Sequence, residues 1–388
     1  MPAVSVLIPS FNHARVLKAT VESVLNQSFS DFELIISDDC STDDSKKIID
    51  SFSDERIKKI FSEKNRGTVR SLNSMLEIAE GRFIAVLGSD DIWEKDKLSK
   101  QVEFLENNLE YAACFSWVSV IDESGEPVQS REIAESVFNI DNRSQGEWLK
   151  LFYDNGNRLC HSSVLIRSEI HKKIGNYNPA LRQLHDYDLW IRLISKYPIY
   201  VLKEKLVRYR RLDGPKNSSV SAANSENTVR LLNESAYVIY KMTADLSKEN
   251  YFSGFCGNSK REISDTEFKA AKYNLLYNHK LCGLSNSHSF NTFFFENCSE
   301  EFLDYFESEK NTDLKDFYKK TALIEDPAVC AALGIQKSLS ELKSEIENYE
   351  NQLSSYRSAI EEIRSSFSWR ITAPLRKATA FLKKRRQG

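Results

Sequence analysis

Short apolar runs and segments of helical period alternate along the first part of the chain. Val4-Ser5-Val6-Leu7-Ile8 is a compact apolar run ended by Pro9. After it, Leu17, Val21, Val24 and Leu25 fall on one face of a helix, at spacings of 4, 3 and 1. Leu34-Ile35-Ile36 reads as a second buried strand, closed by Ser37-Asp38-Asp39. Ser41, Thr42 and Asp43 then offer caps for a helix carrying Ile48, Ile49 and Phe52. Ile57 to Phe61 is a third strand. Gly67 opens a helix with Val69, Leu72, Leu76 and Ala79 inward, stopped by Gly81, and Phe83 to Leu87 is a fourth strand. This alternation predicts an α/β fold with an open, mostly parallel sheet and helices on both faces. Ligands of such sheets bind beyond the carboxyl ends of the strands. The polar clusters fall there: Pro9-Ser10-Phe11-Asn12, Asp38-Asp39, Asn65-Arg66-Gly67 and Ser89-Asp90-Asp91.

The pattern then becomes mixed. Tyr111 to Ile121 reads as another buried strand, and Ser144 with Glu147 forms a capping box for a short helix bearing Trp148, Leu149 and Phe152. Ser163 to Ile166 is a short strand. Residues 183–197 form a helix with Leu189, Trp190, Leu193 and Ile194 on its apolar face and Asp186 and Asp188 at its start. Arg208-Tyr209-Arg210-Arg211 runs into a loop that marks a domain edge near residue 215. Residues 216–334 read as a mostly helical region without a chemistry-bearing motif. From Ile335 to Phe367 apolar positions recur at alternating spacings of 4 and 3, the heptad signature of a coiled coil. One long helix lying on the body of the same chain is the alternative. Residues 368–388 close the sequence as a basic amphipathic tail, which suits either anionic lipid heads or a solvated end. The expected organisation is therefore 1–215, 216–334, 335–367 and 368–388, with homo-oligomerisation through the third segment.

Composition narrows the class. A length of 388 residues accommodates more than one domain, and a net charge of −3 gives no reason to expect a nucleic-acid partner. The seven cysteines are scattered without a CxxC pair, as expected of reduced thiols in a cytosolic protein. The first residues, MPAVSVLIPS, lack the charged start and long apolar core of a signal peptide. The nearly apolar run from Tyr111 to Ile121 is far short of the roughly 20 residues that span a bilayer. The expectation is a cytoplasmic protein, with its basic tail either peripheral at the inner face of the plasma membrane or solvated.

One stretch raises a chemical question. In VLGSDDIW, Asp90 and Asp91 follow a core strand directly, where like charges repel and resist burial. A turn with a helix cap is the plain reading, and a divalent-cation site the alternative. Together with VSVLIPSFN, SVLNQSFSDFELIISDDCSTDDS, NRGTVRSLNSMLEIAEGRFIAVLGSDD and LHDYDLWIRL, this stretch resembles the inverting family-2 glycosyltransferases of GT-A fold over roughly residues 3 to 210.

The resemblance implies a Rossmann-like GT-A domain that moves a sugar from a nucleotide-diphosphate sugar, most commonly a UDP-sugar, to a hydroxyl of a glycan or lipid-linked glycan. It places Pro9, Phe11 and Asn12 in the nucleotide pocket. It sets Asp38, Asp39, Cys40 and Ser41 against the nucleoside, with Asp39 reading the base. The Asp-x-Asp motif, which holds ribose and a Mg²⁺ or Mn²⁺ ion, corresponds to Gly88-Ser89-Asp90, followed by Asp91. Asp90 is then expected to contact the nucleotide, and Asp90 and Asp91 to hold the metal. The general base falls at Asp186, preceded by His185. Two positions depart from the pattern: Gly88 replaces the first Asp, and His185 replaces Glu. They leave open a non-catalytic scaffold that organises a glycan-assembly complex. Nucleotidyl transfer onto sugar phosphates would require a glycine-rich loop after the first strand, and PSFNHAR contains no glycine. His161 near Arg167 lies where acceptors are often contacted, Arg66 and Arg70 lie near the third crevice loop, and Asp43, Asp44 and Asp50 read as solvated helix charges. Asp39, Asp90 and Asp91 are expected to share one cleft.

Overall fold

The computed structural model describes residues 1–128, 133–211, 225–257, 261–279 and Tyr305. The expected coiled coil over 335–367 and the tail over 368–388 lie outside these residues, as do the expected domain edges near 215 and 334.

The predicted alternation is present from the start: β1 (Val4–Ser10), α1 (Ala14–Leu25), β2 (Phe32–Asp38), α2 (Ser45–Ser51), β3 (Ile57–Phe61), α3 (Thr68–Ile78) and β4 (Phe83–Val86). A short β5 (Ile92–Trp93) and α4 (Lys97–Asn107) precede the long β6 (Ala113–Ile121). Then follow α5 (Ile133–Phe138), α6 (Gln145–Asn155), a 3₁₀ turn at His161–Ser163, β7 (Leu165–Arg167), α7 (Ser168–Ile174), α8 (His185–Ile194) and β8 (Ile199–Arg210). Helices α9 (Ser225–Ala244), α10 (Lys248–Phe255) and α11 (Asp265–Asn278) come after the sheet.

The eight strands form one sheet in the order β3-β2-β1-β4-β7-β6-β8-β5. Strands β1 to β4 pair parallel, whereas β7 is antiparallel to both β4 and β6, and β5 to β8. The sheet is thus mixed, parallel chiefly in the half predicted from the alternation. Val4, Val6, Ile8, Leu34, Ile36, Phe83 and Ala85 form a core with Leu17, Val21 and Val24 of α1. Full burial of each of the valine, leucine, isoleucine and phenylalanine side chains contributes about 1.5–3 kcal/mol relative to exposure.

Two local expectations are corrected, and one strand is new. β1 runs through Pro9 to Ser10, because β4 ends opposite Leu7 and leaves Pro9 with a strand neighbour on one side only. Helix α3 ends at Ile78 and buries Met75 rather than Leu76 and Ala79. The chain leaves it because Glu33 Oε1 accepts the Glu80 N–H at 2.7 Å and Ser5 Oγ the Gly81 N–H at 2.8 Å. β8 was not anticipated: it carries exposed Lys203, Glu204 and Lys205 where the register against β6 shifts.

Helix α10 docks against α6 by backbone contact: a Cβ on Gly254 would lie 2.1 Å from the Gly146 carbonyl oxygen. Neither residue has room for a side chain. Among the described residues no helix is long and apolar enough to cross a membrane. Gly254→Ala is expected to destabilise the protein by about 1–3 kcal/mol through overpacking, read as a lower urea midpoint at unchanged slope.

Candidate active site

The loops after β1, β2 and β4 form one polar crevice. Asn12 adopts φ 55° and Cys40 φ 64°, left-handed conformations rare outside glycine. Hydrogen bonds between the loops hold them. The Asn12 N–H donates to Ser41 Oγ at 2.9 Å, and Ser41 donates its own N–H and hydroxyl to Asp38 at 2.9 and 2.6 Å. Asn12 Oδ1 accepts the Thr42 N–H at 2.8 Å. Asp43 is more than a solvated charge, since its carboxylate accepts the Ala14 and Ser45 N–H groups at 2.9 Å each. Asp44 does pair with exposed Lys47.

Asp39 is buried, with its oxygens accepting the Arg66 and Gly67 N–H groups at 2.8 and 2.7 Å. It therefore pins the β3–α3 loop against the end of β2, and its N–H donates to the Ser10 carbonyl at 2.9 Å. A carboxylate has about four acceptor positions, so two remain for a ligand. Pro9, Phe11 and Asn12 are half-buried along the same crevice, and Arg66 and Arg70 are exposed beside it. His13 Nδ1 meets Ser89 Oγ at 2.7 Å, which joins the β1 loop to the β4 loop.

The acidic pair divides inward and outward. Asp91 is buried: Oδ1 accepts the Arg210 N–H at 2.8 Å, and Oδ2 accepts the Ser162 hydroxyl. Burial, and then the neighbouring Asp90, push its carboxyl well above the ordinary range. Asp91 thus bolts the β4 loop to β8 and to the 3₁₀ turn. Asp90 is half-buried, and its carboxylate has no hydrogen bond or ion pair among the described residues. A Cβ at Gly88, where the first motif aspartate was expected, would lie 3.0 Å from Asp90 Oδ1 and 3.3 Å from Asp91 Oδ2. Glycine leaves these two carboxylates the room they occupy.

The 3₁₀ turn is a junction the sequence reading missed, because no spacing or period marks residues 161–163. Ser162 Oγ accepts the Gly88 N–H at 3.0 Å, and the Ser162 carbonyl accepts the Trp93 indole N–H at 2.7 Å. Gln101 donates to the Ser163 carbonyl at 2.8 Å and accepts from the fully buried Lys97 at 2.7 Å. Lys97 lies 4.0 Å from the Trp93 ring centroid, and burial pushes its pKa down to about 7.

The same turn opens onto α8. His161 shares a 2.8 Å hydrogen bond with the Tyr177 hydroxyl, and its ring lies 5.5 Å from that of His185. Burial, then His185, hold His161 well below the usual imidazole range, so it is neutral at neutral pH. Asp186 sits in the first turn of α8, half-buried, with Oδ2 accepting from Asn157 at 2.8 Å and Oδ1 from the Tyr187 N–H at 2.7 Å. Burial raises its carboxyl above the ordinary range, opposed by His185 and these hydrogen bonds. Asp188 is committed to a 2.8 Å ion pair with Arg192. Arg167, expected near an acceptor, instead donates to the Tyr111 and Leu105 carbonyls at 2.9 and 2.6 Å.

The strand-end loops thus carry Asp90, without a side-chain partner among the described residues, and the start of α8 carries half-buried Asp186; comparisons with known proteins give the class of the chain. The model of the family described as "Glycosyl transferase family 2" matches residues 5–174. The putative teichuronic acid biosynthesis glycosyltransferase TuaG of Bacillus subtilis is 34% identical over 227 residues, 57% of this chain and 82% of that protein. WfaP of Escherichia coli, a UDP-Glc:alpha-D-GlcNAc-diphosphoundecaprenol beta-1,3-glucosyltransferase, is 33% identical over 197 residues, 50% of this chain and 72% of its own length. In fold, the chain is similar to residues 1–349 of S. aureus TarS in complex with UDP-GlcNAc, with a TM-score of 0.51 at 18% identity over 79% of this chain and 91% of that one. The chain belongs to glycosyltransferase family 2. The family match ends at Ile174, before the helix that carries Asp186.

Ser162→Ala strips a donor from buried Asp91 and an acceptor from the Gly88 N–H. It is expected to lower stability by about 1–3 kcal/mol, measured by urea unfolding.

Proposed function

We propose that this protein is an inverting, nucleotide-sugar-dependent glycosyltransferase that moves a sugar from a UDP-sugar to a hydroxyl of a glycan or lipid-linked glycan. The observation that carries the reading is Asp186: a half-buried carboxylate with a raised pKa, joined through the His161–Ser163 turn to the loop that presents Asp90. The donor class is supported by the crevice at the ends of β1, β2 and β4 and by the relative WfaP, whose name specifies UDP-Glc and a diphosphoundecaprenol-linked acceptor.

The roles follow from position. Pro9, Phe11 and Asn12 line the nucleotide pocket, and the free acceptor positions of Asp39 take a donor N–H of the base. Asp90 faces the ribose and pyrophosphate. No group of three or more His, Cys, Asp or Glu among the described residues could hold a metal alone. That donor set fits an ion shared with the substrate, since Mg²⁺ and Mn²⁺ sites commonly use one or two carboxylates with phosphate oxygens and water. Asp90 is the residue that would hold it; a bound ion would supply Lewis-acid stabilisation of the charge developing on the leaving diphosphate. Asp186 takes the proton from the acceptor hydroxyl as that oxygen attacks the anomeric carbon from the face opposite the nucleotide. Its Oδ1 and Oδ2 are oriented by the Tyr187 N–H and Asn157, which fixes the carboxylate for that transfer.

Asp186→Asn keeps size and loses basicity, so kcat for transfer is expected to fall about 10²–10⁴-fold with donor affinity retained. In the parent protein the base acts only when ionised. Because its pKa is raised, kcat should decline as pH falls through a value above the ordinary carboxylate range, and a pH–rate profile locates that limb. An acid limb at the ordinary value, or an active Asp186→Asn, would move the base elsewhere. Chelation by EDTA is expected to abolish transfer and added Mn²⁺ to restore it, while Asp90→Asn should cost roughly 10²-fold or more even at saturating metal. Undiminished turnover in EDTA would show that side chains alone neutralise the leaving group.

A further inference from the structure

Glu234 lies in α9, after the last strand of the sheet, and its buried carboxylate reaches the loop that starts α8. Oε1 accepts the Arg182 N–H at 2.8 Å, and Oε2 accepts the Gln183 and Leu184 N–H groups, each at 2.8 Å. Three consecutive amides thus converge on one carboxylate. Leu184 is the residue immediately before α8, and its own side chain makes no capping bond. The helix that carries Asp186 is therefore capped from another part of the chain, by a group about fifty residues away in sequence.

Two physical consequences follow. A carboxylate at a helix N-terminus satisfies amides that have no partner within the helix and interacts favourably with the positive end of the helix dipole. Here Leu184 stands at the helix start and Arg182 and Gln183 precede it, so the carboxylate holds the segment that enters the first turn, whose second residue is Asp186. On the carboxylate itself the restraints are single bonds from Asn157 and the neighbouring N–H. Further along, Tyr187 donates its hydroxyl to the Phe152 carbonyl at 2.8 Å and Asp188 pairs with Arg192, so Glu234 restrains the entry to a turn whose inner face is held by packing.

We infer that Glu234 is a positioning residue for the acceptor half of the site: through the amides of residues 182–184 it sets the placement of Asp186 for proton removal. The helical segment beginning at α9 is on this account part of the catalytic apparatus. The inference rests on the proposed role of Asp186 as base, and the test separates the two.

The experiment uses the full chain with Glu234→Gln, Asp186→Asn and the double variant. Transfer, donor hydrolysis and amide hydrogen exchange are measured on each, with Glu234→Ala alongside. Glutamine keeps the size and one accepting oxygen but turns an NH₂ toward an N–H, so it remains foldable where alanine fails. Glu234→Gln is expected to speed exchange at residues 182–184 at least tenfold and to lower kcat for transfer about 10–100-fold, the scale of a displacement near 1 Å. The donor KM should stay within about twofold, and donor hydrolysis should fall less than transfer. If Glu234 acts through Asp186, the change adds nothing once Asp186 is Asn, whereas independent effects would add. Additive losses, unchanged exchange at residues 182–184, or an equal loss of donor binding and transfer would each overturn the inference. An active Asp186→Asn single variant would instead overturn the assignment of the base, and that result is read without reference to Glu234.

Discussion

The hydroxyl of Ser162 sits between the Gly88 N–H, which it accepts, and the buried Asp91 carboxylate, to which it donates. Most of the site depends on this contact. It fixes the loop after β4 to a turn that also carries His161, and through His161 to Tyr177, His185 and the start of α8. The turn cannot drift, because Trp93 and Gln101 hold its carbonyls from below. A buried carboxylate is costly unless its lone pairs are satisfied, and here the satisfying groups come from β8 and the 3₁₀ turn. The cost of burying Asp91 thereby becomes a constraint on the relative placement of three segments distant in sequence.

Adjacent carboxylates at the end of a core strand thus serve different ends. Asp91 faces inward and is bonded twice; Asp90 faces the crevice and is left available. Arg210 reinforces the separation, donating its backbone N–H to Asp91 and its guanidinium to the carbonyls of Asp90, Asp122 and Glu123. Burial and the neighbouring Asp90 disfavour charge on Asp91, and the bonds from Ser162 and Arg210 oppose them.

The first four strands and their helices were legible because burial there follows the simple periods, as in Val4 to Ile8 and Leu17 to Val24. The placement of Asp39 and Asp90 followed from the rule about strand ends. Less could be read where long-range pairing decides. The charged run in β8 looks unlike a strand, since its exposed middle faces a bulge rather than a flat neighbour. The distinct fates of Asp90 and Asp91 depend on Ser162 and Arg210, which no local pattern ties to them. Glu234 was invisible for the same reason: one acidic residue on a helix has no signal until the amides it meets are known.

Asn12 and Cys40 hold left-handed backbone conformations without being glycine, and the loops that contain them are cross-bonded by the protein's own groups. The entropy of ordering this half of the crevice is therefore already lost at folding. On the proposed reading, a nucleotide would meet loops already held together, and its affinity would reflect contacts rather than loop closure. The cost of two left-handed torsions is then carried by the folded state and not by the binding step.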